Sequence, residues 1–586
     1  MLLAKRHTAF VKVVISKDAT QEEKHAAHEL RQFLREVSDT SFPLMDCSEP
    51  MNGSEIILSS STSHNTHIDE LNTNINYNTL NNEGYLIKTI NGSIIIASNK
   101  PRGLMYGIYG FLEDYIGIRF YTKDFTYIPK RLKLEVYDEI NDIQNPVLEY
   151  REPWYVQNLD PDWHVRNKCN SSSANLNIMH GGKIKYVGFV HTFNSLVPVE
   201  EYFDSHPEYF SMIDGKRFRG ESSGRTQLCL TNEDVLELTV KKIYQWLYIN
   251  PDTSIISVSQ NDWLNSCECP NCAAIDDAEG SKSGSLLYFV NKVAEKIEKD
   301  FPNVIIDTLA YQYTRKAPKN IKPRSNVVVR LCSIECCFAH PLSECDVMPT
   351  GFNLSYKIDN SFANDLREWG KISKRLHIWD YVTNYFSYLA PYPNFKVLKE
   401  NINFFIENNV TGIFEEGNTR GGAAVELNHL RQYLLAKLMW NPKLDVDRIV
   451  NEFFSIYFGG AAQAMREYFD LIHAQITSDT HIGIVDLPTR EYYSESMISQ
   501  AYTLFKRAEM LANDDVILHR VKLCKLSIDY LKMVKMEFGS KERNDAIDRI
   551  IDSVIYYGVD SIHHNYADLE EYRNILKNER FLKIHS

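Results

Sequence analysis

The sequence predicts an α/β protein with a central (β/α)8 TIM barrel, a small α/β domain before it and an α-helical region after it. Three observations predict this. Between about residue 146 and 440, short β-branched runs alternate with amphipathic stretches, giving eight strands with intervening helices. Two of those runs, Ser254–Val258 and Val410–Ile413, lead directly into carboxylates, where a barrel enzyme keeps its chemistry. Beyond about residue 440, apolar residues recur at three-to-four spacing. The boundaries follow as 1–140 for a non-catalytic α/β domain, 141–440 for the barrel and 441–586 for the helical region.

In the first segment, Val11–Ser16 alternates like a strand and Gln21–Val37 has helical spacing. Ile56–Leu58, Tyr85–Ile90 and Ser93–Ala97 are further strands, the last two joined by Asn91-Gly92, a hairpin signal. Pro101 opens a helix through Tyr115, closed near Gly117. Barrel strands are predicted at 148–154, 186–192, 227–231, 254–260, 304–311, 326–332, 375–381 and 410–415. Helices fall at Asn232–Tyr248, Ser283–Lys299, Phe362–Ser373, Asn394–Glu407 and Ala424–Met439. Pro318 and Pro323 leave no room for a full helix between the fifth and sixth strands. Val446–Phe458, Ala461–Thr477, Ser494–Ala512, Asp515–Phe538 and Asn544–Gly558 make the helical region.

A net charge of −13 argues against nucleic acid or an anionic membrane as the main partner, because both require a basic surface. No apolar run approaches the ~20 residues that span a bilayer. The stretch Met1–His7 is too short for a signal peptide, so the chain is expected either to be cytoplasmic or to be exported with its signal absent. The aromatic supply, 34 Tyr and 7 Trp, suits sugar stacking and core packing equally.

Polar and aromatic residues at the predicted strand ends face one mouth of the barrel. The candidate catalytic residues are Asp262, Asp380, Glu415 and Glu416. Arg151, Trp154, His191, Asn232, Asn261, Trp263, Tyr311, Trp379, Tyr381 and Asn384 are candidates for substrate binding. Aromatic faces pack against sugar C–H surfaces while amides and carboxylates bind hydroxyls. Two carboxylates from different strands suggest a general acid with a nucleophilic or electrostatic partner, and so a glycoside hydrolase. Asp262, in Ser259-Gln260-Asn261-Asp262-Trp263, is the preferred acid. Glu415 and Glu416 are adjacent, so strand alternation sends only one of them into the site. Asp380 competes for the second role.

No metal site is assigned from the sequence, although Cys267, Cys269 and Cys272 have metal-ligand spacing that a fourth ligand from Cys332, Cys336, Cys337, Cys345 or a nearby His would complete. A disulfide or free thiols bracing a loop is the alternative. No zincin helix, phosphate-binding loop or dinucleotide fingerprint stands where its context requires, so no cofactor is expected.

The Asn-Asp-Trp segment, the cysteine-rich loop after it, Phe414-Glu415-Glu416-Gly417, Gln227–Asn232, Glu201–Ser211 and Trp379-Asp380-Tyr381 occur in an order that resembles glycoside hydrolase family 163 of Bacteroides-type gut bacteria. The likeness covers roughly residues 145–460. Residues 1–140, through Asn99–Leu104 and Phe120-Tyr121, look like the domain preceding the barrel in β-hexosaminidases and α-glucuronidases. The resemblance implies an exported endo-β-N-acetylglucosaminidase that cuts the chitobiose core of complex-type N-glycans. Rival readings are an exo-acting β-hexosaminidase or α-glucuronidase-like enzyme, and a non-catalytic glycan-binding protein.

Overall fold

The computed structural model describes residues 1–222, 224–349, 360–419, 425–566 and 568–579. They fall into two units, residues 1–183 with 427–462 and residues 184–426 with 463–586.

The first unit is built on a six-stranded sheet in the order Asn141–Gln144, Tyr85–Ile90, Ser93–Ser98, Ser54–Ser60, Val11–Ile15, Leu44–Asp46. The predicted hairpin is present: Asn91 and Gly92 take φ of 48° and 77°, the pair of positive values a two-residue loop needs. The helix Gln21–Ser38 starts in a capping box, in which the Thr20 hydroxyl accepts from the Glu23 amide and the Glu23 carboxylate accepts from the Thr20 amide. Its Ala26, Leu30, Phe33 and Leu34 join Val13, Ile56, Ile94 and Ile96 of the sheet in one core. The helix Pro101–Phe111 runs on as a wider turn to Ile116 and stops at Gly117, whose φ of 89° suits glycine. The helix Asn428–Trp440 belongs to this unit and stacks Trp440 on Tyr85 at 5.8 Å; Ala424, where that helix was expected to begin, lies outside the described residues. The strand Tyr150–Trp154 is also part of this unit.

The second unit holds six parallel strands paired in chain order: β1 (Tyr186–Val187), β2 (Ile255–Ser257), β3 (Ile305–Ala310), β4 (Val327–Cys332), β5 (Leu376–Tyr381) and β6 (Val410–Glu416). β2 and β4 are buried along their whole length, as strands covered on both faces must be. The sheet is strongly curled. In a flat sheet β1 and β6 would lie roughly 24 Å apart, at about 4.8 Å per step. Here the Arg330 guanidinium of β4 sits 5.6 Å from the Tyr186 ring of β1 and 5.9 Å from the Phe414 ring of β6. Helices Glu233–Ile249, Ser283–Glu298, Phe362–Ile372 and Leu398–Glu407 separate successive strands, and only a single tight turn, Gln312–Thr314, lies between β3 and β4.

The structure corrects two of the eight expected strands. Residues 227–231 form no strand, only a bridge from Leu228 to Phe210. Gln227 instead spends its amide on the Asn261 and Trp263 carbonyls (2.9 and 2.5 Å) and accepts from the Asn261 N–H (3.1 Å), which ties this segment to a loop rather than to a ladder. β1 stops at Val187, because Gly188 and His191 take φ of 68° and 57°, incompatible with extended chain.

The helices Ala462–His473, Glu495–Leu511, Asp515–Val534, Lys541–Tyr556 and Leu569–Asn578 complete this unit, the last unforeseen in the sequence. Among the described residues, no helix is long and apolar enough to cross a membrane.

Candidate active site

β5 and β6 end side by side, with Trp379 opposite Phe414, Asp380 opposite Glu415 and Tyr381 opposite Glu416. Strand alternation divides these six residues between two faces. Trp379, Tyr381 and Glu416 line a cavity of about 180 Å³ together with His191, Asp262, Leu309, Tyr311, Cys332, Ile334, Tyr385 and His564. Asp380 and Glu415 lie on the opposite face.

Glu416 is nearly buried, and burial pushes its carboxyl up to about 7; hydrogen bonds from Tyr385 and Trp379 hold it back, and the charge of Asp262 adds to the rise. The Trp379 indole N–H donates to Glu416 Oε2 at 2.6 Å. Trp379 is itself fixed by stacking on Phe189 (5.4 Å, 27°) and by the Phe414 edge at 4.6 Å. Glu416 therefore still carries its proton in about half of the molecules at pH 7, where an ordinary carboxyl has lost it, and so can serve as a general acid.

Asp262 is exposed and accepts a 3.1 Å bond from the Tyr311 hydroxyl, which in turn accepts from the Gln312 amide at 2.9 Å. This chain fixes the Tyr311 proton toward the carboxylate. The His191 amide donates to Ser259 Oγ at 2.9 Å, and its Nδ1–H donates to the Gln260 carbonyl at 2.8 Å, leaving Nε2 available at the cavity wall. These two bonds hold the positive φ of His191, a conformation found at functional positions.

Asp380 and Glu415 make a second carboxyl pair, away from the cavity. Ser333 Oγ donates to Asp380 Oδ1 at 2.5 Å, while Glu415 Oε2 has no hydrogen-bond partner among the described residues. Burial raises Asp380 to about 6; burial first, then the charge of Asp380, raises Glu415 well above the usual carboxylate range. A folded-state value above the unfolded one gives stability that is full below the unfolded value and is lost as pH rises through the folded one. Glu415→Gln is thus expected to keep kcat within about twofold and to raise the melting midpoint at pH 8 by roughly 2 °C or more, with less gain at pH 5. Melting curves at the two pH values check it, and a large loss of kcat would return Glu415 to the catalytic set.

The remaining sequence candidates are not among the residues that line this cavity. Arg151 is fully buried in the first unit, donating to Glu83 (2.5 Å) and to the Lys168 (2.9 Å) and Leu148 (2.5 Å) carbonyls. Trp154 ends its strand in the same unit, half-buried. Asn232 caps the helix Glu233–Ile249 by accepting from the Asp234 and Val235 amides. Asn261 accepts from the Asn194 amide (3.0 Å) and donates to the Thr226 carbonyl (2.7 Å). Asn384 donates to the Asp486 carbonyl (2.7 Å) and accepts from the Phe386 amide (3.0 Å). Trp263 lies outside the cavity lining, under the Arg225 guanidinium at 4.5 Å.

Besides the apolar Leu309 and Ile334, two cavity residues had no signal in the sequence. Tyr385 sits in the loop after β5, and His564 arrives from the helical region to stack on it at 4.5 Å. His564 is held by its amide bond to the Tyr385 carbonyl (2.8 Å) and by the Tyr388 hydroxyl at Nδ1 (3.1 Å). Metal-ligand types gather at two other places. Cys267, Cys269 and Cys272 meet Cys229, not the second cysteine cluster or a histidine, and Cys337 and Cys345 meet His340 and His481.

Residues 120–470 match the family model described as a domain of unknown function (DUF4838), and residues 3–111 match the N-terminus of glycosyl hydrolase family 67. No curated protein matches the chain. Among solved structures, a GH115 4-O-methyl-α-glucuronidase, BtGH115A, with specificity for decorated arabinogalactans superposes over 99% of this chain and 78% of its own, with a TM-score of 0.58 at 11% identity. That likeness shows a shared fold. A GH138 enzyme targeting pectin rhamnogalacturonan II (10% identity, 98% and 99% covered, TM-score 0.43) and a mutant Streptomyces plicatus β-hexosaminidase with GlcNAc bound (12%, 79% and 91%, TM-score 0.40) are more distant.

Proposed function

The chain belongs to the DUF4838 family, and from that premise we propose that it is a glycoside hydrolase in which Glu416 is the general acid and Asp262 its partner. One observation carries the reading: a nearly buried carboxyl raised to about 7 and an exposed carboxylate line the same aromatic cavity. Environments that push two carboxyl groups apart assign acid and base roles. The scaffold in this reading is a (β/α)8 barrel in which the 227–231 segment stands in for the third strand.

Glu416 protonates the glycosidic oxygen as the bond breaks, and Trp379 aims its carboxyl. Asp262 acts on the anomeric side, by one of two retaining routes. It attacks the anomeric carbon itself, or it accepts the N–H of a substrate acetamido group whose oxygen attacks. The Asn261 side chain is already spent on Asn194 and Thr226, so holding the acetamido group falls to Asp262, Tyr311 and His191. Tyr381 and Tyr385 add aromatic wall to the cavity, against which sugar C–H groups pack.

The finer reading is an endo-β-N-acetylglucosaminidase acting on complex-type N-glycans in the periplasm or at the cell surface, supported by the motif resemblance. The cavity itself favours the exo-acting alternative. Its described walls, Tyr311, Trp379, Tyr381 and Tyr385, provide room for a terminal sugar, which supports that alternative. Incubation with a biantennary N-glycoprotein, followed by mass analysis of the products, separates them. A released glycan with one N-acetylglucosamine left on the protein supports the endo reading, and monosaccharide alone supports the exo reading. No release from several glycoproteins and aryl glycosides would overturn hydrolysis and leave a binding protein.

Trp379→Phe removes a bond that favours the ionised form of Glu416. The expected result is an alkaline limb of the kcat profile moved up by about one pH unit, the equivalent of a charged hydrogen bond of about 1.4 kcal/mol. A limb that stays in place would remove Trp379 from control of the acid.

A further inference from the structure

We propose that this protein carries two structural zinc sites, one made by Cys229, Cys267, Cys269 and Cys272 and the other by Cys337, His340, Cys345 and His481. The ligand atoms within each set lie within 4.8 Å of one another. In the first set all four cysteines are at most 5% exposed, and none forms a disulfide. Zinc–sulfur bonds of about 2.3 Å at tetrahedral angles place neighbouring sulfurs about 3.8 Å apart. The Cys229 and Cys269 sulfurs are 3.6 Å apart, far beyond the ~2.05 Å of a disulfide bond. Four thiolates on one zinc leave two net negative charges, and the surroundings answer them. The Met212 amide points at Cys267 Sγ from 3.4 Å and the Arg217 guanidinium from 3.8 Å, while the Thr231 hydroxyl lies 3.3 Å from Cys272 Sγ. Outer bonds of this kind orient metal ligands.

The second set is carried by its own geometry. A tetrahedral zinc with sulfur at about 2.3 Å and imidazole nitrogen at about 2.05 Å separates the two atoms by about 3.6 Å. Cys337 Sγ lies 3.5 Å from His340 Nδ1, and Cys345 Sγ lies 3.6 Å from His481 Nδ1. His340 Nε2 donates to the Thr477 carbonyl at 3.0 Å, which fixes the tautomer that presents a bare Nδ1.

Each site closes a loop that reaches the cavity. The first fastens the 261–269 loop, which carries Asp262, and the first turn of the helix Pro270–Glu279 to the 227–231 segment that failed to form a strand. The second fastens the loop after β4, which carries Ile334, to residues 481–486, where Phe338 already donates to the Ile482 carbonyl at 2.8 Å. Metal binding releases the thiol protons and involves no redox step.

The test is elemental analysis of the purified full chain, which is read without any glycan assay and so stands apart from the function proposed above. The expected result is two zinc per chain, falling to one in Cys272→Ser and to one in His481→Ala, with circular dichroism unchanged. Should a variant fail to fold, cobalt(II) exchanged into the wild-type protein decides. The expected signature is two equivalents taken up, with thiolate charge-transfer and tetrahedral ligand-field bands. No metal, or disulfides at these cysteines under non-reducing peptide mapping, would overturn the proposal. One zinc would overturn whichever site the variant leaves unaffected, and iron at the four-cysteine site would overturn zinc there.

Discussion

Glu416→Gln is expected to lower kcat on an unactivated glycan by roughly 10³-fold, within the range a positioned general acid contributes. Gln keeps the size of the side chain and still accepts from the Trp379 indole, so what is lost is the proton that Glu416 can donate. The loss must depend on the leaving group. An aryl glycoside with an acidic phenol needs no protonation, so on it the variant should lose less than about tenfold. The alkaline limb of the wild-type profile, near the value of about 7 for Glu416, should vanish with it. Stability moves the other way. The folded carboxyl lies near 7 against 4.5 for the free group, so the wild-type protein loses up to about 3 kcal/mol as pH rises through 7. Gln suffers no such loss, and the variant should melt higher than wild type at pH 8. An equal loss of kcat on both substrate types would remove Glu416 from the acid role.

Asp262→Asn is expected to cost roughly 10³-fold in kcat on good and poor leaving groups alike, because its partner role acts on the anomeric side of the bond. Asp262 is exposed and its one side-chain bond is to Tyr311, so the melting midpoint should change by less than about 0.5 kcal/mol equivalent. The two retaining routes separate on substrates whose acetamido group cannot attack. If the acetamido oxygen is the nucleophile, the wild-type enzyme should be as inactive on these as the variant is on the natural sugar. Full wild-type activity would make Asp262 the nucleophile. Activity of Asp262→Asn close to wild type would leave Glu416 without a partner and sink the pair.

The strands and helices of the second unit were legible because burial writes itself into local pattern. Val327–Cys332 is apolar and β-branched since both of its faces are covered, and Ser283–Glu298 shows a single apolar stripe since only one of its faces is. Trp379, Tyr381, Glu416 and Tyr311 could be named for the same reason: each sits at or just past the end of a readable strand. The choice between Glu415 and Glu416 could not be read, since adjacent residues on a strand share every local property except the face they point to. Asn232, Asn261 and Asn384 have the polarity of ligand-binding amides. Nothing in a one-dimensional string tells an amide spent on a helix cap or a loop carbonyl from one left free for a sugar.

The sequence by itself determined the alternation of strands and helices, the helical C-terminal region and the strand ends that carry the candidate carboxylates, because these depend on periodicity and on residues a few positions apart. Only the tertiary structure decided which carboxylates share the cavity, that His564 closes it from about 150 residues beyond Glu416, and that Cys229 and His481 complete their clusters. Those contacts join segments whose separation along the chain carries no pattern. They exist because the sheet curls, bringing β1 and β6 within reach of one arginine, and because the helical region packs its connecting loops over the open ends of the strands.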